Sequence, residues 1–307
     1  MQLSELKAKW DALQPRTRTS ILVGGVAIVA LLAGHCTANA APKDMRICTG
    51  GESGNYFFAG SHIAAQAKGS VNVDVVSTRG SMDNLERIEK GECNAGIVQS
   101  DAFLAYQRAY PKSTLKLERS GVLYNELVHL ICNRSAKVGK ITKLTPQNVV
   151  AVGRNGSGSA VTWDGFISVD QKRYKPVQTV PLDGERALAK VADGTEVQCM
   201  LFTAGLNTPF VKDTVTAYKD RVELVPTDDR DIKDAKDPKG NPLYSYDAIP
   251  SGMYPVNGGL FNGVDTISVK ALLVVSSDWA DQNDREYNKF LEAVRKALPA
   301  IKQRVGQ

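Results

Sequence analysis

Five short stretches of the chain are polar, and all but the third combine glycine with serine, threonine or asparagine: residues 50–56, 78–84, 99–101, 155–162 and 203–205. That composition suits the capture of an anion. The first N–H groups of a helix lack partners and carry a partial positive charge of roughly half an elementary charge. Glycine lets backbone approach a ligand closely, and hydroxyl and amide side chains add donors. The candidate ligand-binding residues are Gly51, Ser53, Gly54, Asn55 and Tyr56 in the first stretch, and Arg79, Gly80, Ser81 and Asn84 in the second. Gln99, Ser100 and Asp101 follow in the third, Asn155, Ser157, Gly158 and Ser159 in the fourth, and Thr203 and Gly205 in the fifth. A plainer reading stands beside each. Ser81, Asp83, Ser157 and Ser159 are residue types that cap helices without touching any ligand. Arg79 suits bidentate pairing with a carboxylate, or solvation alone. Tyr56 either reaches the ligand with ring and hydroxyl or packs beneath its loop.

Catalytic and metal chemistry find less material. Residues 50–54 do not fit G-x-G-x-x-G, and residues 153–159 carry Ser159 where a phosphate-binding loop needs lysine. No G-x-S-x-G elbow occurs. Beyond residue 40 only His62 and His129 remain as imidazole bases, and no C-x-x-C pair is present. The expectation is a binding protein, not an enzyme, with no cofactor and no metal.

The stretches must be held by regular elements. Residues 45–49, 71–77 and 95–99 read as short apolar strands, and helical patterns lie around residues 62–67, 83–90 and 102–109. Alternation of strand and helix implies a parallel sheet with crossover helices. A second set follows: strands at 149–153, 197–202 and 222–225, with helices near 187–192 and 209–218. Residues 228–247 read as an irregular insertion. Tyr287, Phe290, Leu291, Val294, Leu298 and Ile301 recur at spacings of three and four, an amphipathic helix from about Asp284. Two extended segments, 127–133 and 266–276, are placed to cross between the sets. The expected architecture is therefore α/β, with two lobes joined by two hinge strands: residues 44–133 plus 266–307, and residues 134–265. Each polar stretch follows a strand, so all five converge on the cleft between lobes.

The N-terminus reads as an export leader. Lys7, Lys9, Arg16 and Arg18 outnumber Glu5 and Asp11, an uncharged run covers residues 21–34, and Ala38-Asn39-Ala40 suits signal peptidase. Cleavage is expected after Ala40, leaving a periplasmic protein; a retained leader would make a membrane anchor. The formal net charge of +5 includes +2 from the leader and is evenly spread, which argues against nucleic acid. Export favours disulfides. The expected strand positions nevertheless separate Cys48 from Cys93, and Cys132 from Cys199, so all four are expected to be free thiols acting as small apolar residues.

Residues 47–56, Ile-Cys-Thr-Gly-Gly-Glu-Ser-Gly-Asn-Tyr, resemble the opening motif of the TAXI family of TRAP-transporter solute receptors. Residues 77–85 and 95–101 resemble its next two motifs, and residues 155–159, 201–205 and 254–275 fit its second half. The likeness covers most of residues 45–300. It implies a type II periplasmic-binding-protein fold with a discontinuous first lobe. It also implies a receptor that delivers a small amino- or oxo-dicarboxylate, such as glutamate or 2-oxoglutarate, to an ion-gradient-driven TRAP permease; the chain is expected to be a monomer. Arg79 stands where that family commonly has a second glycine. Two other readings share the same fold: the binding component of an ATP-driven importer or a ligand sensor, and an enzyme resembling hydroxymethylbilane synthase or a decarboxylase.

Overall fold

The computed structural model describes residues 44–208, 210, 215–237, 240–254 and 263–307; the leader and its cleavage site lie outside them. The first lobe begins with β1 (Asp44–Cys48), α1 (Asn55–Ala67), β2 (Asn72–Val76), α2 (Ser81–Glu89), β3 (Ala95–Gln99) and α3 (Ala102–Ala109). β1 lies between β2 and β3 and pairs parallel with both. The chain then runs through a long strand, β4 (Leu117–Asn133), into the second lobe. That lobe contains β5 (Val149–Ala151), α4 (Gly158–Val169), α5 (Gln171–Tyr174), β6 (Gln178–Val180), α6 (Gly184–Asp193), β7 (Cys199–Ala204), α7 (Val215–Ala217), β8 (Val222–Val225), α8 (Arg230–Lys233) and β9 (Ser245–Ile249). β10 (Val264–Ser276) returns the chain, and α9 (Ser277–Gln282) and α10 (Asp284–Val305) close the first lobe.

All ten strands share one hydrogen-bonded path, with β2-β1-β3-β10-β4-β7-β5-β6 in order and β8 and β9 added on β4 and β10. β4 and β10 are its shared middle. They pair antiparallel from Leu127↔Ser268 to Leu117↔Ser276. Beyond that, β4 passes to β7 and β8, and β10 to β9. The pleat of β10 explains the packing. Ala271, Leu273 and Val275 enter one core with Ile63 of α1 and Phe290, Val294 and Ile301 of α10. Leu272 and Val274 face the opposite side, with Leu85 and Ile88 of α2 and Tyr106 of α3. The second lobe is built likewise, with Trp163 and Phe166 of α4 on one face and Leu188 and Val191 of α6 on the other.

Three expectations need correction. The first crossing strand starts at Leu117, not at residue 127, because its charged and glycine-bearing opening still pairs with β10. The 228–247 segment is not wholly irregular: α8 forms, and β9 adds to β10 as an edge strand. The four cysteines are not free. Cys48 bridges Cys93 with Cα atoms 5.9 Å apart, and Cys132 bridges Cys199 with Cα atoms 4.0 Å apart. The register explains the first: Cys48 at the end of β1 pairs with Gly96 near the start of β3, which brings Cys93 alongside. For the second, Cys132 has already entered the second lobe on β4, where it stands opposite Cys199 of β7. Neither bridge ties lobe to lobe.

Candidate functional site

The parallel strands of each lobe end at the same edge, and their polar loops meet there. Gly50, Gly51, Gly54, Asn55, Tyr56, Arg79, Gly80, Ser81 and Gln99 face Gly153, Ser157, Gly158, Ser159, Asp183, Thr203 and Thr208 around a cavity of about 230 Å³. Drug-sized ligands need ~300–1,000 Å³, so this volume suits a small metabolite. α1, α2 and α4 begin at the cavity, each with first-turn N–H groups that their own helix cannot pair.

The lobes touch across it. The Met82 amide donates to the Gly156 carbonyl at 3.4 Å, and Asn55 Nδ2 donates to Thr208 Oγ1 at 3.0 Å. Two glycines permit the approach. A Cβ on Gly158 would lie 2.4 Å from Gln99 Oε1, and Gly80, at φ 120°, sits with its Cβ position 3.5 Å from Ser157 Cα. The conformation is thus a closed one.

Ser157 is both wall and cap: its hydroxyl accepts from the Ala160 amide. Ser159 Oγ accepts from the Thr203 amide and ties α4 to β7. Ser81 Oγ accepts from the Gln99 amide. Gln99 Oε1 and Thr203 Oγ1 are buried without a hydrogen-bond partner among the described residues. Such groups are costly unless something pairs them. Arg79 is the one cation among the described residues lining the cavity. Its side chain is 72 % exposed and donates to Asp83 Oδ1, which also accepts from Arg87.

Six candidate residues lie off the wall of this cavity. Asn84 is wholly buried and donates to the Thr49 and Ile97 carbonyls, locking α2 onto β1 and β3. Ser100 Oγ accepts from the Lys270 amide, on the strand side. Gly205 packs against Val305 of α10, and Ser53 lies in the exposed turn before α1. Asn155 and Asp101 line a neighbouring depression at the lobe seam. Asp101 has a distinct place there: its Oδ2 accepts from Thr162 Oγ1 at 3.1 Å and from Tyr244 OH at 3.3 Å, both in the second lobe. Burial pushes this carboxyl up to about 6, and the two hydroxyls hold it from rising further.

The sequence reading missed Glu126. It lies on β4 at the cavity wall, 5 % exposed, and accepts from Tyr56 OH at 2.8 Å. Burial pushes its carboxyl up to about 8; the Tyr56 hydroxyl and the Gln99 amide beside it favour ionisation, and Asp101 opposes it. The Tyr56 hydroxyl is pushed far up in turn, by burial first and the Glu126 charge second. A lone glutamate in an apolar strand, at 124–130 Tyr-Asn-Glu-Leu-Val-His-Leu, was the available signal. His129, three residues on, is structural: its ring bonds the Leu127 carbonyl and Tyr254 OH, and burial pushes it down to about 4. Among the described residues, no group of three or more His, Cys, Asp or Glu is placed to hold a metal ion.

Comparison with known proteins follows this geometry. The profile of the NMT1-like family matches residues 47–291. The chain belongs to that family. The fold of this NMT1-like protein is that of type II periplasmic binding proteins. It resembles the GluR0 ligand-binding core from Nostoc punctiforme, solved with L-glutamate, at a TM-score of 0.50 and 11 % identity, covering 85 % of this chain and 98 % of that one. It also resembles the aliphatic sulphonate binding protein SsuA from Escherichia coli, at 0.48 and 14 %, covering 87 % and 80 %. A third likeness is to the substrate binding protein of an amino acid ABC transporter, at 0.48 and 10 %, covering 85 % and 93 %. Among the described residues, no helix is long and apolar enough to cross a membrane.

Proposed function

We propose that this NMT1-like protein is a periplasmic receptor that captures a small anionic carboxylate, of the glutamate or 2-oxoglutarate kind, and delivers it to a TRAP-type permease. The observation that carries this is the cavity of about 230 Å³ between the touching lobes, where the N-termini of α1, α2 and α4 meet. The ligand-contact residues are those of the five loops that line it. Glycine-bearing backbone, Ser157, Ser159 and Thr203 supply the donors, Tyr56 lies at the wall beside Glu126, and Arg79 lies at the rim. The motifs at residues 47–56, 77–85 and 95–101 favour the TRAP receptor class. The export leader favours the periplasm, with the mature chain starting at Ala41.

A thermal-shift screen of carboxylates, amino acids and sugars tests the ligand class. Binding to the folded state stabilises by RT ln(1 + [L]/Kd), about 2.7 kcal/mol at a hundredfold excess over Kd. A clear rise in melting temperature with a dicarboxylate or acidic amino acid is expected. A rise with sugars or cationic amino acids alone would overturn the reading. The family is equally compatible with an ATP-driven importer. Uptake abolished by an ionophore at constant ATP supports the TRAP partner; uptake abolished by ATP depletion at constant ion gradient supports the importer.

A further inference from the structure

The cavity has two unlike walls. The second lobe presents the α4 N-terminus and hydroxyls, which suit a carboxylate. The first lobe adds two acceptors beside the N-termini of α1 and α2. Glu126 stands on β4 and Gln99 on β3, on either side of β10. Gln99 is 1 % exposed, and its Oε1 faces Gly158 across the cleft without a partner among the described residues. An acceptor carboxyl and an orphaned amide oxygen on one wall ask for a ligand group rich in N–H.

We propose that Glu126 and Gln99 Oε1 hold an ammonium group, so that the solute is an amino acid and not a 2-oxo acid or simple dicarboxylate. This rests on the reading of the cleft as a receptor site for a small carboxylate, and it narrows that class. A second carboxylate placed here would find no free cation, since Arg79 is already turned to Asp83. An oxo group would set oxygen against the Gln99 oxygen. An ammonium satisfies both acceptors with its three donors.

The site couples binding to a proton. In the empty cleft the Glu126 carboxyl, raised to about 8 by burial, is neutral at pH 6. An ammonium requires it ionised, so the arriving amino acid expels its proton to solvent. Of the groups around it, only Asp101 overlaps that window, at its acid end. Tyr56 and Tyr124 are pushed further up by burial, Asp101 titrates near 6, and His129 is neutral above about 4. Arg79 and Asp183 lie at the rim, the first paired with Asp83 and the second with Arg154.

Isothermal titration of the purified protein tests this with the twenty common L-amino acids, with the 2-oxo acids of glutamate, alanine and leucine, and with succinate. At least one amino acid is expected to bind, with its 2-oxo counterpart at least tenfold weaker. Affinity should rise roughly fiftyfold from pH 6 to pH 8, the ratio expected for a carboxyl titrating near 8. Heats measured in two buffers of different ionisation enthalpy should show net proton release. Glu126→Gln should weaken amino-acid binding at least tenfold and flatten the pH dependence; the buffer experiment needs no variant and holds if that protein misfolds. A 2-oxo acid or succinate binding as well as any amino acid, or binding without proton release, overturns the ammonium site and leaves the receptor reading standing. Binding of no carboxylate at all overturns both.

Discussion

Glu126 and Asp101 are both buried carboxyls of the first lobe, both raised by burial, yet they face different partners. Glu126 is bonded within its own lobe, by Tyr56, and turns toward the cavity. Asp101 is bonded by the other lobe, through Thr162 and Tyr244. The same residue chemistry therefore serves recognition in one place and closure in the other. What separates them is the second lobe. Its hydroxyls reach Asp101 at the seam, and at Glu126 they leave a gap of metabolite size.

The largest expected effect removes the distinction by holding the lobes apart. Gly158→Val puts a branched side chain against Gln99 Oε1, where even a Cβ would come within 2.4 Å. Overpacking of this kind costs about 1–3 kcal/mol, so affinity for the solute should fall roughly tenfold to a hundredfold. Small-angle scattering should show a larger radius of gyration in the presence of solute. Unchanged affinity would mean that closure is not needed for binding. Next comes Asp101→Ala, which strands two buried hydroxyls. Hydrogen bonds to a charged group are worth about 1.5–3 kcal/mol. Solute affinity should fall about tenfold or more at neutral pH, with Tyr244→Phe having a smaller effect in the same direction.

Stability against pH separates the two carboxyls directly. Each has a folded-state pKa above its unfolded value, so the folded state holds more protons and stability falls as pH rises through the gap. Asp101 acts between its ordinary 3.8 and about 6, and Glu126 between its ordinary 4.5 and about 8. Urea unfolding of the solute-free protein should therefore lose a few kcal/mol, roughly, from pH 4.5 to pH 8. Asp101→Asn should lessen the slope below pH 6, and Glu126→Gln should lessen it there and flatten the part above pH 6. A profile that rises with pH would contradict both assignments. Tyr56→Phe is a smaller change: it removes one bond, worth about 0.5–1.5 kcal/mol, and pushes the Glu126 titration further up. The smallest effect belongs to Arg79→Ala. This exposed side chain bonds a residue of its own helix turn, and such pairs contribute little. Affinity within about threefold of the parent agrees with that; a larger loss would move Arg79 into the carboxylate contacts.

Much of this was legible in the sequence, for identifiable reasons. Glycine and hydroxyl residues that follow a strand mark the loops of residues 50–56, 78–84 and 155–162, and the structure brings parts of all three to one cavity. The period of α10 placed Phe290, Val294 and Ile301 on the core. What failed was register. Nothing local says that Cys48 at the end of β1 meets the start of β3, or that Cys132 lies past the crossing and opposite Cys199. Glu126 was hidden for the same reason. Only the pairing of both β3 and β4 with β10 reveals that a charged residue in a strand stands across one intervening strand from Gln99. Asn84 and Ser100 misled in the opposite way: side chains suited to ligands are also suited to stitching loops to strands.

The twin crossing strands have a mechanical consequence. β4 and β10 are bonded to each other over the eleven residues of β4 from Leu117 to Leu127, and the ladder is broken only at Ala271/Leu272 and Leu273/Val274. A pair of bonded strands behaves as a leaf spring. It flexes readily across its thin direction and resists sliding in its own plane, since sliding would break the remaining ladder bonds together. A ladder of this kind favours opening of the jaws about one axis, which would bring the loops back to the same registration on closing.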